Sequence, residues 1–322
     1  MKSVICTLFE RHFHRGLVGL INSLHKNGYR GDIYAGYLGA LPSWAKINEN
    51  SIFEDRAIET FIVDENIKVH FIPLKTDYHL TNYKPDFMKW VLNGPAKDAE
   101  NIFYFDTDIV INYSWNFFEE WVSYGVALCT DINSPLDLNH PRRMAWSRYF
   151  TNFDITLNFT KTAYANGGFV GLSRKDAGFI SNWIMVQEHI SPLIGGLQWS
   201  SITGKRFSST EHLAEYFAFK IPDQDALNIT IGTWAGVVTF VGKEGMGFEQ
   251  GPALMFHALG ASKPWRMNYL KRMLLGFRPR KADKSYWDSV SNPIELYSKR
   301  TVFWKKLMLN LASFIGRFYG KS

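Results

Sequence analysis

Apolar and polar positions alternate with a period of two over residues 3–9 (SVICTLF) and then change to a period near 3.6 over residues 13–28 (FHRGLVGLINSLHKNG). In the second stretch Leu17, Leu20, Ile21 and Leu24 share one face and Asn27-Gly28 supplies a stop, so the pattern predicts a strand followed by a helix. Further strands are predicted at GDIYAGYLG (31–39), which runs into the glycine and proline of GALPSW, and at IKVHFIPL (67–74). A helix around KPDFMKWVL (84–92) then leads into NIFYFDTDIVI (101–111). WVSYGVALCTD and GGFVGLSR read as strands, DAGFISNWIMVQEHI and STEHLAEYFAF as helices, and GGLQWSSITGKRF as a loop. Strands alternating with helices predict an α/β fold whose mainly parallel sheet is flanked by helices, with ligands beyond the C-terminal ends of the strands. No repeat or linker divides the first 265 residues, so 1–265 is expected to be one catalytic unit and 266–322 a distinct C-terminal segment.

That last segment has its own pattern. Phe303, Trp304, Leu307, Leu311, Phe314, Ile315 and Phe318 recur at helical spacing, with Lys305, Lys306, Asn310, Ser313 and Arg317 largely opposite. A basic amphipathic helix with aromatic residues suits a membrane interface, and its charges interrupt it too often for it to span a bilayer. The alternative is a helix packed on the domain. Charge sharpens the contrast: 13 of the 36 Lys and Arg lie after residue 265, against 3 of the 30 Asp and Glu, so the overall +6 conceals a net −4 in the first 265 residues. An anionic lipid surface is the expected partner of the tail, and nucleic acid is set aside because no recognition motif accompanies the charge.

Composition adds little beyond this. The 46% apolar content of 322 residues suffices for a large core. Cys6 and Cys129 are too few for a disulfide framework and sit in strand-like runs as reduced core residues. The first residues enter a strand pattern without a secretory leader, so a cytoplasmic protein, peripheral on the inner face of the membrane, is expected.

Asp106 and Asp108 stand out because they interrupt one of the most apolar stretches of the chain. Residues i and i+2 of a strand share a face, and two converging carboxylates raise each other's pKa unless a cation lies between them. A divalent metal is the simplest resolution; one capping and one solvated carboxylate is the plain alternative. DTDIV also fits the nucleophile strand of haloacid-dehalogenase-like phosphatases. That fold starts with this strand and needs a later acidic pair, whereas here three candidate strands come first and no such pair follows.

Three downstream segments, YANGGFVGLSR, IPDQDALN and FHALGASKPW, follow YFDTD in an order and spacing that resemble glycosyltransferase family 8, the family of glycogenin and of bacterial lipopolysaccharide galactosyl- and glucosyltransferases. The resemblance spans roughly residues 3–265. It implies a GT-A fold built on a Rossmann-like sheet, a UDP-sugar donor, a glycan or glycolipid acceptor, Mn²⁺ (with Mg²⁺ as the substitute) and retention of anomeric configuration. By the same resemblance Asp106, Asp108 and His257 hold the metal, and Lys263 meets the donor phosphates with Gly260 allowing close backbone approach. Lys89 aligns with a basic residue that contacts the donor, although Lys84 is close by. Thr7, Glu10 and Phe13 occupy the nucleoside-binding stretch, where Glu10 and Phe13 depart from the family's usual residues and Phe13 keeps a ring for stacking.

Asn166, Gly167 and Gly168 are expected to line the sugar, with Asp223, Gln224 and Asp225 on its other side as the catalytic group. A Gln at the reacting face, in place of a carboxylate nucleophile, favours front-side transfer. The stretch 131–164, with Trp146, Tyr149 and Phe150, fits neither element pattern and is expected to contribute to the acceptor site. A non-catalytic carbohydrate-binding relative is the remaining alternative.

Overall fold

The computed structural model describes residues 2–200 and 218–319. Nine strands form one mixed sheet in the order β10-β8-β9-β6-β1-β2-β5-β4-β3. In chain order these are β1 (Ser3–Glu10), β2 (Gly31–Leu38), β3 (Glu49–Phe53), β4 (Arg56–Ile62), β5 (Ile67–Pro73), β6 (Asn101–Phe105), β8 (Val126–Thr130), β9 (Ala165–Ser173) and β10 (Val238–Val241). The centre, β6-β1-β2-β5, is parallel, and β10 is parallel to β8. β9 runs antiparallel between β6 and β8, and β4 and β3 add an antiparallel edge.

β1 is buried on both faces, so its alternation separates two cores. Val4, Cys6 and Leu8 pack with α2 (Lys84–Asn93) and α5 (Gly178–Ile194) on one side. Ile5 and Phe9 pack on the other with Leu17, Leu20, Ile21 and Leu24 of α1 (His14–Lys26) and with Trp115 and Phe118 of α3 (Trp115–Ser123). From β1 the chain builds outward through β2 to β5, then returns to place β6 on the opposite flank of β1. That reversal makes the crevice between the C-terminal ends of β1 and β6 the natural ligand site. β1 ends at Glu10 and β6 ends just before Asp106.

A second sheet pairs β7 (Ile109–Ile111) with β11 (Met255–His257), antiparallel, with His257 opposite Ile109. The amide of Ala258 donates to the Asp108 carbonyl at 3.0 Å. Two short strands thus bring a histidine from far along the chain beside the aspartate pair.

Several elements differ from the sequence pattern. WVSYG closes α3 and its turn, and the strand starts at Val126, because Trp121 and Val122 point into the core at helical spacing. The segment 131–164 contains α4 (Pro141–Thr151), whose buried positions are Arg143, Trp146 and Phe150; an arginine in the inward stripe hides its periodicity. The expected helix STEHLAEYFAF, except its last two residues Ala218 and Phe219, and most of the loop GGLQWSSITGKRF lie outside the described residues.

The C-terminal segment forms α7 (Tyr269–Leu274), α8 (Lys281–Asp288) and α9 (Lys299–Tyr319). Tyr286 packs on α1 at Gly19 and donates to the Arg15 carbonyl at 3.0 Å. α9 is packed, but through Val302, Leu309 and Ala312 rather than through the aromatic stripe; Phe303, Trp304, Leu311, Phe314 and Phe318 stay exposed. No helix among the described residues is long and apolar enough to cross a membrane.

Candidate active site

The polar groups at the β1/β6 crevice are arranged in two tiers. Asp106 begins where β6 ends, its amide fixed by the Gly168 carbonyl at 2.8 Å. Its Oδ1 accepts from Lys84 Nζ at 3.0 Å and from the Tyr104 hydroxyl at 3.0 Å. Asp108 presents Oδ2 to the ammonium of Lys263, which also donates to the Ala258 carbonyl at 2.9 Å. The outer oxygen of each carboxylate is therefore held by a lysine. The inner oxygens, Asp106 Oδ2 and Asp108 Oδ1, turn toward His257 Nε2 at 4.0 and 3.3 Å.

One donor atom from each of these three residues lies within 4.8 Å of the others, the spacing expected around a divalent ion. Two hard carboxylate oxygens and one borderline imidazole nitrogen suit Mn²⁺ or Mg²⁺, the nitrogen favouring Mn²⁺. Burial alone would raise the Asp108 pKa, yet Lys263 and His257 outweigh it and hold this carboxyl well below the usual range. Asp108 is thus ionised as a ligand must be. The residues fit the metal.

Gly168 shapes this centre in an unexpected way. A methyl group at its Cα would lie 2.6 Å from His257 Cε1 and 3.0 Å from Nδ1, so the missing side chain makes room for the imidazole rather than for a sugar. Gly167, by contrast, faces Gln224 and Asp223, with ordinary contact distances of 3.8 and 3.9 Å from the position of an added methyl. Asn166 is buried and fully used: its Nδ2 donates to Asp131 Oδ2 at 2.6 Å, and its Oδ1 accepts from the Gly168 amide at 2.9 Å.

α6 (Pro222–Thr233) aims its first turn at the same place. Gln224 Oε1 accepts from the Gly167 amide at 3.3 Å, and Asn228 clamps the helix to β9 by bonding both the amide and the carbonyl of Ala165. Asp223 is partly buried; desolvation raises its pKa against the pull of Lys84, and the charge of Asp106 raises it further. Asp225 is turned inward. One of its oxygens accepts from the Tyr164 hydroxyl at 2.7 Å and lies 3.5 Å from Arg142, while the other accepts from the Ile221 amide at 2.9 Å. Burial lifts its pKa to about 7, although Tyr164 and Arg142 oppose the rise.

Around the nucleoside stretch, Thr7 is fully buried within β1 and its hydroxyl has no partner among the described residues. Glu10 is half-buried at the strand end, 3.8 Å from Arg11. Phe13 is half-buried, stacked on His12 at 4.7 Å, with Lys263 Nζ 5.7 Å from its ring. Gly260 lies in the exposed turn between His257 and Lys263, with φ of 81° and open space around it, so a left-handed turn rather than close packing requires glycine there.

Lys89 is exposed on α2, whereas Lys84, buried at the first turn of that helix, reaches Asp106 and the Gly167 carbonyl at 2.7 Å. Sequence reasoning also passed over Tyr104, Asp131 and His79. His79 feels the charges of Asp223, Glu10 and Lys84; burial lowers its pKa, and its Nδ1 is bonded to Thr81 Oγ1 at 2.8 Å.

No protein-family model matches this sequence, and no curated protein matches it either. Among solved structures the chain is similar to the apo structure of WbbM, a bifunctional glycosyltransferase, with a TM-score of 0.50 at 12% identity. The likeness covers 94% of this chain and 51% of that one, so the chain spans about half the length of the neighbour. At that identity it establishes the fold, which is GT-A-like, with a group of side chains able to hold a divalent metal at its switch point.

Proposed function

We propose that this chain is a metal-dependent, retaining glycosyltransferase of the family 8 type, moving a hexose from a UDP-sugar to a hydroxyl of a membrane-borne glycan. The observation that carries this reading is the convergence of Asp106 Oδ2, Asp108 Oδ1 and His257 Nε2 in the crevice of a GT-A-like sheet, with both outer carboxylate oxygens neutralised by lysines. A divalent ion held there supplies Lewis-acid stabilisation of the negative charge developing on the departing diphosphate.

The chain's own residues do the rest. Lys84 and Lys263 each hold one oxygen of a carboxylate so that the other faces inward, and they add positive charge where the diphosphate would sit. Phe13 offers a half-exposed ring to the base, and Asp223 takes sugar hydroxyls across from Gly167. Gln224 lies nearest the anomeric carbon, and Asp225, engaged through both oxygens, sets the turn that carries Gln224. In front-side transfer the acceptor oxygen bonds the anomeric carbon on the face the phosphate oxygen leaves, and that oxygen takes the hydroxyl proton. Mn²⁺-dependent release of UDP from a panel of UDP-sugars, slow alone and faster with a glycan acceptor, is the expected result. Release of inorganic phosphate from monoesters without UDP release would replace this reading with the phosphatase one.

The C-terminal helices support the membrane-borne acceptor in this reading. Gly316 of α9 lies against the Arg278 side chain, and each of the two stretches so joined leaves apolar side chains exposed: Phe314 and Phe318 on α9, and Leu274, Leu275 and Phe277 at and after the end of α7. Lys271, Arg272, Arg278 and Arg317 belong to the same segments, so each stretch carries basic groups beside its exposed apolar ones. Such a surface fits the headgroup region of an anionic leaflet. The full chain is expected to sediment with vesicles containing anionic phospholipid and not with neutral ones. Phe314→Ser with Phe318→Ser should abolish sedimentation while UDP release in solution is unchanged; point changes are preferable to truncation, which would strip Val302 and Leu309 from their packing. Equal binding by the double variant would rule the surface out.

A further inference from the structure

Beside α4 and β10 lies a cavity of about 230 Å³, whose lining includes none of the residues assigned above to the metal or the sugar nucleotide. Arg143 and Lys161 line it, together with the rings of Trp146, Phe159, Trp234 and Phe240. Arg143 is 3% exposed and its guanidinium carries a permanent charge. That group donates to the carbonyls of Lys161 at 2.7 Å and Ala163 at 3.0 Å and lies 4.6 Å over the Phe159 ring. Among the described residues its buried Nε has no partner and no carboxylate forms an ion pair with it; Asp137, whose charge it feels, is itself exposed. A buried cation satisfied only by neutral acceptors lacks the counter-charge that normally offsets desolvation.

The other polar groups point to the same chemistry. Lys161 is exposed and holds its ammonium by the Val238 carbonyl at 2.8 Å, 5.8 Å from the Phe240 ring. Trp234 Nε1 is buried and has no acceptor among the described residues. The cavity is therefore lined by two cationic side chains and four aromatic rings, one of them an indole whose N–H is unpaired among the described residues. Its volume is below the ~300–1,000 Å³ of drug-sized pockets, which limits the occupant to about one ring. Aromatic walls accept the apolar face of a sugar, and the donors select for an anionic substituent.

We propose that this cavity is a binding site for a single sugar ring bearing a carboxylate or a phosphate, separate from the donor crevice. The site does not depend on the metal or on a nucleotide, so its test needs neither. The full chain, without metal or UDP-sugar, would be titrated with glucuronate, glucose 6-phosphate and neutral glucose, following heat and the indole N–H signals of the tryptophans in ¹⁵N-labelled protein. At least one charged sugar is expected to bind, shift the Trp234 indole signal and weaken as salt rises, while glucose does neither; which of the two binds identifies the anion.

Lys161→Gln and Trp234→Phe, which spare the carbonyl contacts of Arg143, should each weaken binding about tenfold, as loss of a hydrogen bond to a charged group does. Glucose binding as well as the charged sugars, no binding by either charged sugar, or wild-type affinity in both variants would overturn the proposal.

Discussion

Asp106→Asn is expected to lower UDP-sugar turnover on the order of 10³-fold, the loss typical of removing one group that stabilises developing charge. The substitution keeps a side-chain oxygen for Lys84 and Tyr104 and removes the anionic inner oxygen that faces His257. Metal affinity falls with it, since a neutral amide is a much poorer ligand for a hard divalent ion. The fold should survive, because the Asp106 side chain is 29% exposed and Lys84 keeps the Gly167 carbonyl. Asp108→Asn is a less clean test. Asp108 is buried against Lys263, and removing one partner of a buried pair costs about 3–5 kcal/mol, so lost activity there mixes with lost stability. Calorimetric titration of Asp106→Asn with Mn²⁺, beside a melting curve and UDP release, separates the two effects. Turnover within tenfold of wild type at unchanged metal affinity would remove Asp106 from the site.

The group able to hold a metal was legible in the sequence because its parts are local or carried by motifs: two aspartates breaking an apolar strand, and a histidine in FHALGASKPW. Their meeting depends on the pairing of β7 with β11, two three-residue strands too short to announce themselves by alternation. The basic partner of Asp106 could not be chosen by spacing. Lys84 and Lys89 occupy one helix, and only the packing of α2 against β1 and β6 decides that Lys84 is buried beneath the site while Lys89 faces solvent. The inward turn of Asp225 was equally hidden, since PDQDALN shows acidic residues in a helix's first turn but not which of them Tyr164 and Ile221 capture.

A mainly parallel sheet was expected from the alternation of strands with helices, and the sheet's centre is parallel. The antiparallel course of β9 was not expected, because a strand buried on both faces has no alternation to reveal its direction. In the tail, the aromatic stripe obeyed helical spacing but remained exposed. The face that packs is made of Val302, Leu309, Ala312 and Gly316, small or isolated residues, with Ile315 of the predicted stripe partly buried beside them.

Gly168→Ala tests the centre from the side of shape rather than charge. The added methyl would meet His257 Cε1 at 2.6 Å and Asn166 Oδ1 at 2.9 Å, closer than carbon or oxygen neighbours tolerate. Asn166 is held by Asp131 and by the Gly168 amide, and β9 is paired on both sides, so the imidazole is the group that must yield. Moving the ring takes Nε2 away from Asp106 Oδ2 and Asp108 Oδ1 while leaving every ligand chemically intact. Mn²⁺ affinity should fall by about 10–100-fold, the range seen when groups supporting metal ligands are lost. Turnover at low Mn²⁺ should fall in proportion and recover substantially as Mn²⁺ is raised, a recovery that Asp106→Asn does not share. Gly167→Ala is the companion variant: its methyl meets nothing nearer than 3.8 Å, and its neighbours are Gln224 and Asp223, so it should leave Mn²⁺ affinity alone and raise KM for the sugar nucleotide. If both alanine variants change Mn²⁺ affinity equally, or neither does, His257 is not seated as a ligand by the space that Gly168 leaves open.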